Sequence, residues 1–177
     1  MRRVLRGGYF NFANALAAFE PYNYPCKVIG FDTFEGNQSL SEQDSRLLHE
    51  DHLYEAPVYH DLLRAIEVFD ADRPLGHLPK LELIRGDLVE TAPAYMRDNP
   101  GTMWRIICLS VNVFAPSVAA ITNFWPRLQT GGALVFHGLH HGNGFEAVEA
   151  AFDALGEPVP SFSTHEYWPA SYYAIRH

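Results

Sequence analysis

Small and ionisable residues follow the ends of several predicted strands in this chain of 177 residues. In a sheet of parallel strands, ligands bind outside the carboxyl ends of the strands, near the point where the strand order reverses. Residues at those ends are therefore the first candidates for binding and catalysis. They are Gly7, Gly8, Asp32, Thr33, Asp87, Ser110, Asn112 and His137.

Two aspartates among them carry the clearest binding chemistry. Asp32 ends the apolar run at residues 28–31, where a carboxylate can accept hydrogen bonds from both hydroxyls of a ribose; a capping or loop aspartate is the alternative. Asp87 could accept a hydrogen bond from an adenine amino group, or it could cap the turn after it. The glycines Gly7 and Gly8 could let the backbone approach a ligand closely.

Three histidines, His137, His140 and His141, lie close together after a predicted strand. Imidazole favours Zn²⁺, Ni²⁺, Fe²⁺ or Cu²⁺ over Mg²⁺, so the cluster could hold a transition metal. A solvated loop is the simpler interpretation of the same residues. A single histidine can also act as a general base without a metal, and His137 is our candidate because it lies at the strand end.

Apolar periodicity predicts the elements that must position these residues. Helices are predicted at residues 9–19, 62–69, 92–98, 116–128 and 145–155, and strands at 28–31, 81–84, 104–109, 133–136, 161–164 and 172–175. Strands and helices alternate until the last two strands, which follow each other directly. This order predicts a doubly wound, mostly parallel, Rossmann-like α/β sheet with an antiparallel carboxyl-terminal edge and helices on both faces.

Two residues are expected to cap predicted helices. Thr91 is a plausible N-cap, with Pro93 in the first turn of the helix after it. Gly156 is the expected glycine at the end of the last long helix. Residues 36–52 are polar, and a connection of that length is usually a functional loop. We therefore expect one domain over residues 1–177, with a lid-like insertion around residues 36–60.

Composition excludes several classes of partner. The net charge of −8 argues against binding to nucleic acid or to anionic lipid. No apolar stretch reaches the roughly 20 residues of a membrane span, and the N-terminus lacks a hydrophobic signal core, so we expect a cytoplasmic protein. Cys26 and Cys108 form no metal or redox spacing and are expected to be small buried hydrophobic residues.

Several stretches resemble one bacterial enzyme family. The most specific is Gly30-Phe31-Asp32-Thr33-Phe34-Glu35-Gly36, and others are Arg6-Gly7-Gly8 and Leu83-Ile84-Arg85-Gly86-Asp87. Together they resemble the macrocin O-methyltransferase type, which are class I methyltransferases acting on sugar hydroxyls of natural products. The resemblance implies S-adenosylmethionine as cofactor and a small-molecule acceptor. It also implies a cofactor site formed by Gly7, Gly8, Asp32, Thr33, Asp87 and Ser110.

The resemblance breaks down at the family's metal site. Members carry Asp-x-Asp-x-Tyr at the end of the fourth strand and an acidic pair after the fifth, and these carboxylates resemble a Mg²⁺ site. Here Ser110 and Asn112 occupy the first set of positions, and His137 and Gly138 occupy the second. We therefore expect no Mg²⁺. Asn112, which retains an oxygen, and His137 are the remaining catalytic candidates.

Two functions are compatible with this partial resemblance. The first is an O-methyltransferase that uses S-adenosylmethionine, and the alternative is a catalytically degenerate relative that serves as a binding or partner subunit. The family's central first strand is reduced to a stub at residues 1–5, unless the chain was cut there. Because unpaired strand edges favour association, we expect a homodimer or a protein partner that covers this region.

Overall fold

The computed structural model describes residues 2–36, 39–42, 44, 57–111, 113–137, 144–165 and 168–177. The chain divides into two compact units. Unit 1 consists of Met1–Glu35 and Leu53–Gly86, and unit 2 consists of Gly36–His52 and Asp87–His177. The single domain expected over the whole chain stays a prediction.

The described residues of unit 1 form a parallel strand pair and two helices. Its elements are α1 (Arg2–Phe19), β1 (Val28–Asp32), α2 (Pro57–Ala71) and β2 (Leu81–Arg85). β1 and β2 pair in register from Val28 opposite Leu81 to Asp32 opposite Arg85. Both strands lie where the sequence predicts them. The buried residues of the core are Tyr9, Ala13 and Leu81, and Phe10, Val28, Ile66, Phe69 and Leu83 pack against them.

Helix α1 approaches β1 closely because residue 30 is a glycine. A Cβ atom on Gly30 would lie 3.0 Å from both the Tyr9 ring and the Leu83 side chain. The Tyr9 hydroxyl donates a hydrogen bond to the Glu82 carbonyl oxygen at 3.0 Å. The helix is therefore fixed by apolar packing and by a polar contact to the neighbouring strand.

The start of α1 corrects the sequence analysis. The stub strand expected at residues 1–5 is helical from Arg2 onwards, and Gly7 and Gly8, which were expected to follow that strand, also lie within α1. A strand this short needs a neighbour to satisfy its backbone groups. A helix satisfies them within the segment, and arginine and leucine are good helix formers.

Unit 2 is built on a four-stranded mixed sheet. Its elements are α3 (Leu88–Asp98), β3 (Trp104–Leu109), α4 (Phe114–Phe124), a 3₁₀ turn (Trp125–Arg127), β4 (Leu128–His137), α5 (Gly144–Leu155), β5 (Ser163–His165) and β6 (Trp168–Ile175). The strand order is β3-β4-β6-β5. β3 and β4 are parallel, whereas β6 is antiparallel to both β4 and β5. The antiparallel carboxyl-terminal edge is confirmed, but the described strands form two sheets instead of one.

One face of this sheet is buried and the other is not. Ile107, Leu109, Leu134 and Phe136 are buried, as are the apolar residues of α4 and α5. On the opposite face, Ile106 is 48% exposed. Cys108 lies on that face and is exposed, so the expectation of a buried thiol at this position was wrong. Cys26 is half-buried.

Several helix ends differ from the prediction. The predicted helix over residues 116–128 ends at Phe124, because Pro126 lacks an N–H and cannot continue an α-helix. β4 begins at Leu128 and not at residue 133 as predicted. Its pairing with the carboxyl-terminal segment continues to Gly131, whose N–H donates to the Arg176 carbonyl oxygen at 2.7 Å. Gly156 has a φ of +66°, which confirms its role at the end of α5. No helix in the described ranges is long and apolar enough to cross a membrane.

Candidate functional site

Asp32 ends β1 in a tight turn. Its Oδ1 accepts a hydrogen bond from the Phe34 N–H at 2.7 Å, and its carbonyl oxygen accepts one from the Gly86 N–H at 3.0 Å. Phe34 adopts a φ of +58°, a left-handed conformation that non-glycine residues rarely take. The turn therefore fixes the direction in which the chain leaves the strand.

In the described part of the chain, the carboxylate of Asp32 has no ion-pair partner. Its side chain is half-buried, and burial raises the pKa of the carboxyl group, although the hydrogen bond from Phe34 lowers it in part. Arg85, opposite Asp32 in the ladder, forms its ion pair with Glu35 instead, at 2.5 Å. A desolvated carboxylate whose nearest ladder cation is engaged elsewhere is typical of a functional position.

Aromatic and polar groups surround this turn within unit 1. The Phe34 ring is buried and lies 4.8 Å from the Tyr59 ring, and the Arg85 guanidinium lies 5.5 Å from the Tyr59 centroid. Thr33 Oγ1 accepts a hydrogen bond from the Glu35 N–H at 3.2 Å. The sequence analysis identified Asp32 and Thr33 but missed Tyr59, for which no local signal exists.

Asp87 is the N-cap of α3. Its Oδ1 accepts a hydrogen bond from the Val89 N–H at 2.9 Å, and Thr91 Oγ1 donates to its carbonyl oxygen at 2.8 Å. The prediction of Thr91 as the N-cap was therefore wrong, because the helix begins at Leu88, four residues before the predicted start. Pro93 consequently lies inside the helix. Of the two roles considered for Asp87, capping is the one that the geometry shows.

Asp44 is a polar residue of unit 2 that the sequence analysis missed. It is 6% exposed, and its Oδ2 accepts hydrogen bonds from both the N–H and the hydroxyl of Ser41. Its Oδ1 accepts one from the Phe114 N–H at 2.8 Å. The N-cap of α4, Val113, has no side-chain cap, so Asp44 caps this helix from a distant segment. The spacing of Ser41 and Asp44, three residues apart, resembles that of a capping box and could have identified Asp44 as a hydrogen-bond acceptor.

The ends of β3 and β4 carry the remaining candidates. Ser110, which follows β3, forms a side-chain hydrogen bond with Cys108. His137, the last residue of β4, lies with Nδ1 2.6 Å from Ser171 Oγ. Asn112, His140 and His141 fall outside the described residues.

The two described donors at these strand ends are poor ligands for Mg²⁺. Mg²⁺ prefers carboxylate oxygens, whereas the described residues at these strand ends offer a hydroxyl at Ser110 and an imidazole at His137. Within the described ranges, no group of three or more histidine, cysteine, aspartate or glutamate side chains could hold a metal ion.

The chain is similar in structure to known O-methyltransferases. CalS11, a calicheamicin methyltransferase, aligns with a TM-score of 0.79 and 23% identity over 93% of this chain. The apo structure of CalS11, a TDP-rhamnose 3'-O-methyltransferase of calicheamicin biosynthesis, aligns with a TM-score of 0.72 and 24% identity over 93% of this chain. The O-methyltransferase NovP aligns with a TM-score of 0.64 and 16% identity over 85% of this chain and 60% of its own length.

The chain spans 65% of the length of CalS11 in both structures. No family model and no curated protein matches the sequence. At this level of identity the likeness establishes the fold, and one fold can host many activities. The chain therefore has the α/β fold of these O-methyltransferases.

Proposed function

We propose that this chain is an O-methyltransferase domain that binds S-adenosylmethionine and methylates a hydroxyl of a sugar or another small natural product. The observation that carries the proposal is Asp32, a half-buried carboxylate at the end of a parallel strand whose pKa is raised by burial. In doubly wound folds this position binds the ribose of a nucleotide cofactor. The fold likeness to CalS11 and NovP supports this choice of cofactor.

Asp32 would accept hydrogen bonds from the ribose hydroxyls. Asp87 would accept a hydrogen bond from the adenine amino group in addition to the one that Oδ1 accepts from the Val89 N–H. The contributions of Gly7, Gly8, Thr33 and Ser110 to the cofactor site stay predictions.

When bound, S-adenosylmethionine supplies a methyl group on a positively charged sulfur. An acceptor oxygen would take this methyl group, and the sulfur would keep the electron pair of the broken carbon–sulfur bond. The hydroxyl proton passes to a base, for which His137 is our candidate, and Asn112 is a candidate to orient the acceptor. Holding the two reactants in line accounts for most of the rate enhancement in such a reaction, and proton removal adds to it. No step in this scheme uses Mg²⁺.

Calorimetric titration with S-adenosylhomocysteine tests the proposal. The wild-type protein should bind at micromolar concentration. Asp32→Ala should weaken binding at least about 100-fold, because two hydrogen bonds to a charged group are lost. Asp72→Ala, at an exposed aspartate of the same unit, should bind as the wild type does. Absence of binding to well-folded wild-type protein would contradict the proposal.

A second function, a non-catalytic partner subunit, is favoured by the replacement of the family's carboxylates at Ser110 and His137. Within the described residues, β1 pairs only with β2, and β3 pairs only with β4, so each strand keeps an edge that could accept another strand. We therefore propose a homodimer or a complex with another protein. Size-exclusion chromatography with light scattering should show a species larger than a monomer, and a monomer at high concentration would contradict this proposal.

A further inference from the structure

A hydrogen bond across β4 and β6 gives His137 a partner that the sequence analysis did not identify. His137 lies directly opposite Ser171 in this antiparallel ladder, and its Nδ1 is 2.6 Å from Ser171 Oγ. Both residues are half-buried. Residues directly opposite each other in such a ladder extend from the same face of the sheet. The strand register itself therefore holds the hydroxyl against the imidazole.

We propose that Ser171 is a positioning residue that accepts a hydrogen bond from Nδ1–H of His137 and leaves Nε2 to receive the proton of the acceptor hydroxyl. The inference rests on the methyl transfer proposed above. A neutral imidazole carries one proton, so a donor at Nδ1 makes Nε2 an acceptor. The opposite tautomer would carry its proton on Nε2 and could not act as a base at that atom.

The direction of this hydrogen bond follows from what a base requires. After Nε2 takes up a proton, both ring nitrogens are donors. A serine oxygen that already accepts from Nδ1–H keeps its hydrogen bond through the step, because hydroxyl oxygen has two lone pairs. A serine that donated to Nδ1 would leave the imidazole proton on Nε2, which could then accept no proton from the acceptor hydroxyl. Only the first arrangement holds the ring in one orientation before and after the reaction.

The ladder provides a matched control. Ser163 in β5 lies opposite Tyr173 in β6, and Tyr173 is two residues along the strand from Ser171. Side chains two residues apart lie on the same face of a strand. Ser163 is therefore a serine on the same face of the sheet as Ser171. Ser163 is exposed, and it faces Tyr173 instead of His137.

The test is long-range ¹H–¹⁵N correlation spectroscopy of the histidine rings in ¹⁵N-labelled protein, with the His137 signals assigned from their loss in His137→Gln. The wild type should show a protonated Nδ1 and an unprotonated Nε2. Ser171→Ala should shift the tautomer ratio about fivefold toward Nε2–H, as expected for one neutral hydrogen bond. Ser171→Thr, which keeps a hydroxyl, and Ser163→Ala should leave the ratio unchanged.

A protonated Nε2 in the wild type would overturn the inference, and so would an unchanged ratio in folded Ser171→Ala. If Ser171→Ala does not fold, Ser171→Cys replaces it, since a thiol is a weaker hydrogen-bonding group of similar size. Titration of the wild type with S-adenosylhomocysteine separates the two proposals. Absence of that binding would contradict the methyltransferase function. The tautomer ratio of His137 tests only the positioning role of Ser171. With an acceptor in hand, Ser171→Ala should lower kcat about tenfold at unchanged KM, part of what a general base contributes.

Discussion

The end of β1 in unit 1 and the helix starts of unit 2 differ in what their aspartates cap. Asp32 accepts one backbone hydrogen bond, and its burial raises the pKa of the carboxyl group. Asp44 and Asp87 accept hydrogen bonds from the Phe114 and Val89 N–H groups at the starts of α4 and α3. The carboxylates of Asp44 and Asp87 thus stabilise helix starts, whereas that of Asp32 caps only a turn and is partly desolvated.

The difference shows that an aspartate after a strand is not, by that position alone, a binding residue. α3 begins at Leu88, directly after Asp87, so its first N–H groups need an acceptor. After Asp32 the chain turns through Phe34 and offers no helix start over residues 33–36. The segment after the strand therefore decides whether the carboxylate caps a helix or only a turn.

The largest effect should separate Asp32 from Asp87 in ligand binding. We expect Asp32→Asn to weaken the binding of S-adenosylhomocysteine at least about tenfold, because a neutral amide forms weaker hydrogen bonds than a carboxylate. Asp87→Asn should change the dissociation constant less than about threefold, since asparagine also caps helices. Isothermal titration of both variants measures this. Equal losses in the two variants would place both aspartates at the ligand and remove the distinction.

Asp44→Ala should produce the next largest effect, on stability. It leaves the Phe114 and Ser41 N–H groups without their acceptor, which we expect to cost about 2 kcal/mol of unfolding free energy. Asp44→Asn should cost about half as much, because it keeps an oxygen acceptor. Urea unfolding measures both, with Asp153→Ala as the control at an exposed aspartate of α5. A loss of less than about 0.5 kcal/mol would show that this remote cap contributes little.

Asp87→Ala should cost about 1 kcal/mol, the usual value for the loss of an N-cap side chain. Asp87→Ser should recover most of that loss, since serine is an equally good N-cap. The same urea unfolding experiment measures both variants. If Asp87→Ser were as unstable as Asp87→Ala, the hydrogen bond to Val89 would not be the source of the stability.

The smallest effect concerns pH. Because the pKa of Asp32 is raised by burial, its ionisation opposes folding. The folded protein binds the proton of Asp32 more tightly than the unfolded chain does. The stabilisation that this gives is complete below the unfolded pKa of about 3.9, and it is lost as the pH rises through the pKa of the folded state. Asp32→Asn should therefore be more stable than the wild type at pH 7, with the gap closing toward pH 4. Urea unfolding at several pH values measures it, and a gap that widened on acidification would contradict the role assigned to burial.

Much of the fold was readable from the sequence. β1, β2 and β3 lie within one residue of their predicted ends, because buried parallel strands are short apolar runs bounded by polar or turn residues. Helix starts were less accurate. Asp87 and Thr91 are both good N-cap types, and only the structure shows which of them has a helix N–H within reach.

The parts of the site that were missed depend on long-range contacts. Asp44 and Phe114 are 70 residues apart in the chain, and His137 and Ser171 are 34 apart. A local pattern shows that Asp44 can accept hydrogen bonds, but it does not show which helix it will cap. The pairing of His137 with Ser171 depends on strand register, which a shift of one residue would abolish.

The division of the chain between the units has a consequence for folding. The Tyr9 hydroxyl bonds to the carbonyl of Glu82, 73 residues later, and the segment between them includes Gly36–His52 of unit 2. During synthesis, the contacts of unit 1 cannot be completed until β2 has emerged. Asp44 cannot form its hydrogen bond to the Phe114 N–H until α4 has emerged. Contacts this distant in sequence slow folding. Since neither unit is one continuous stretch, no single cut of the chain yields both units intact, and we expect them to be made and degraded together.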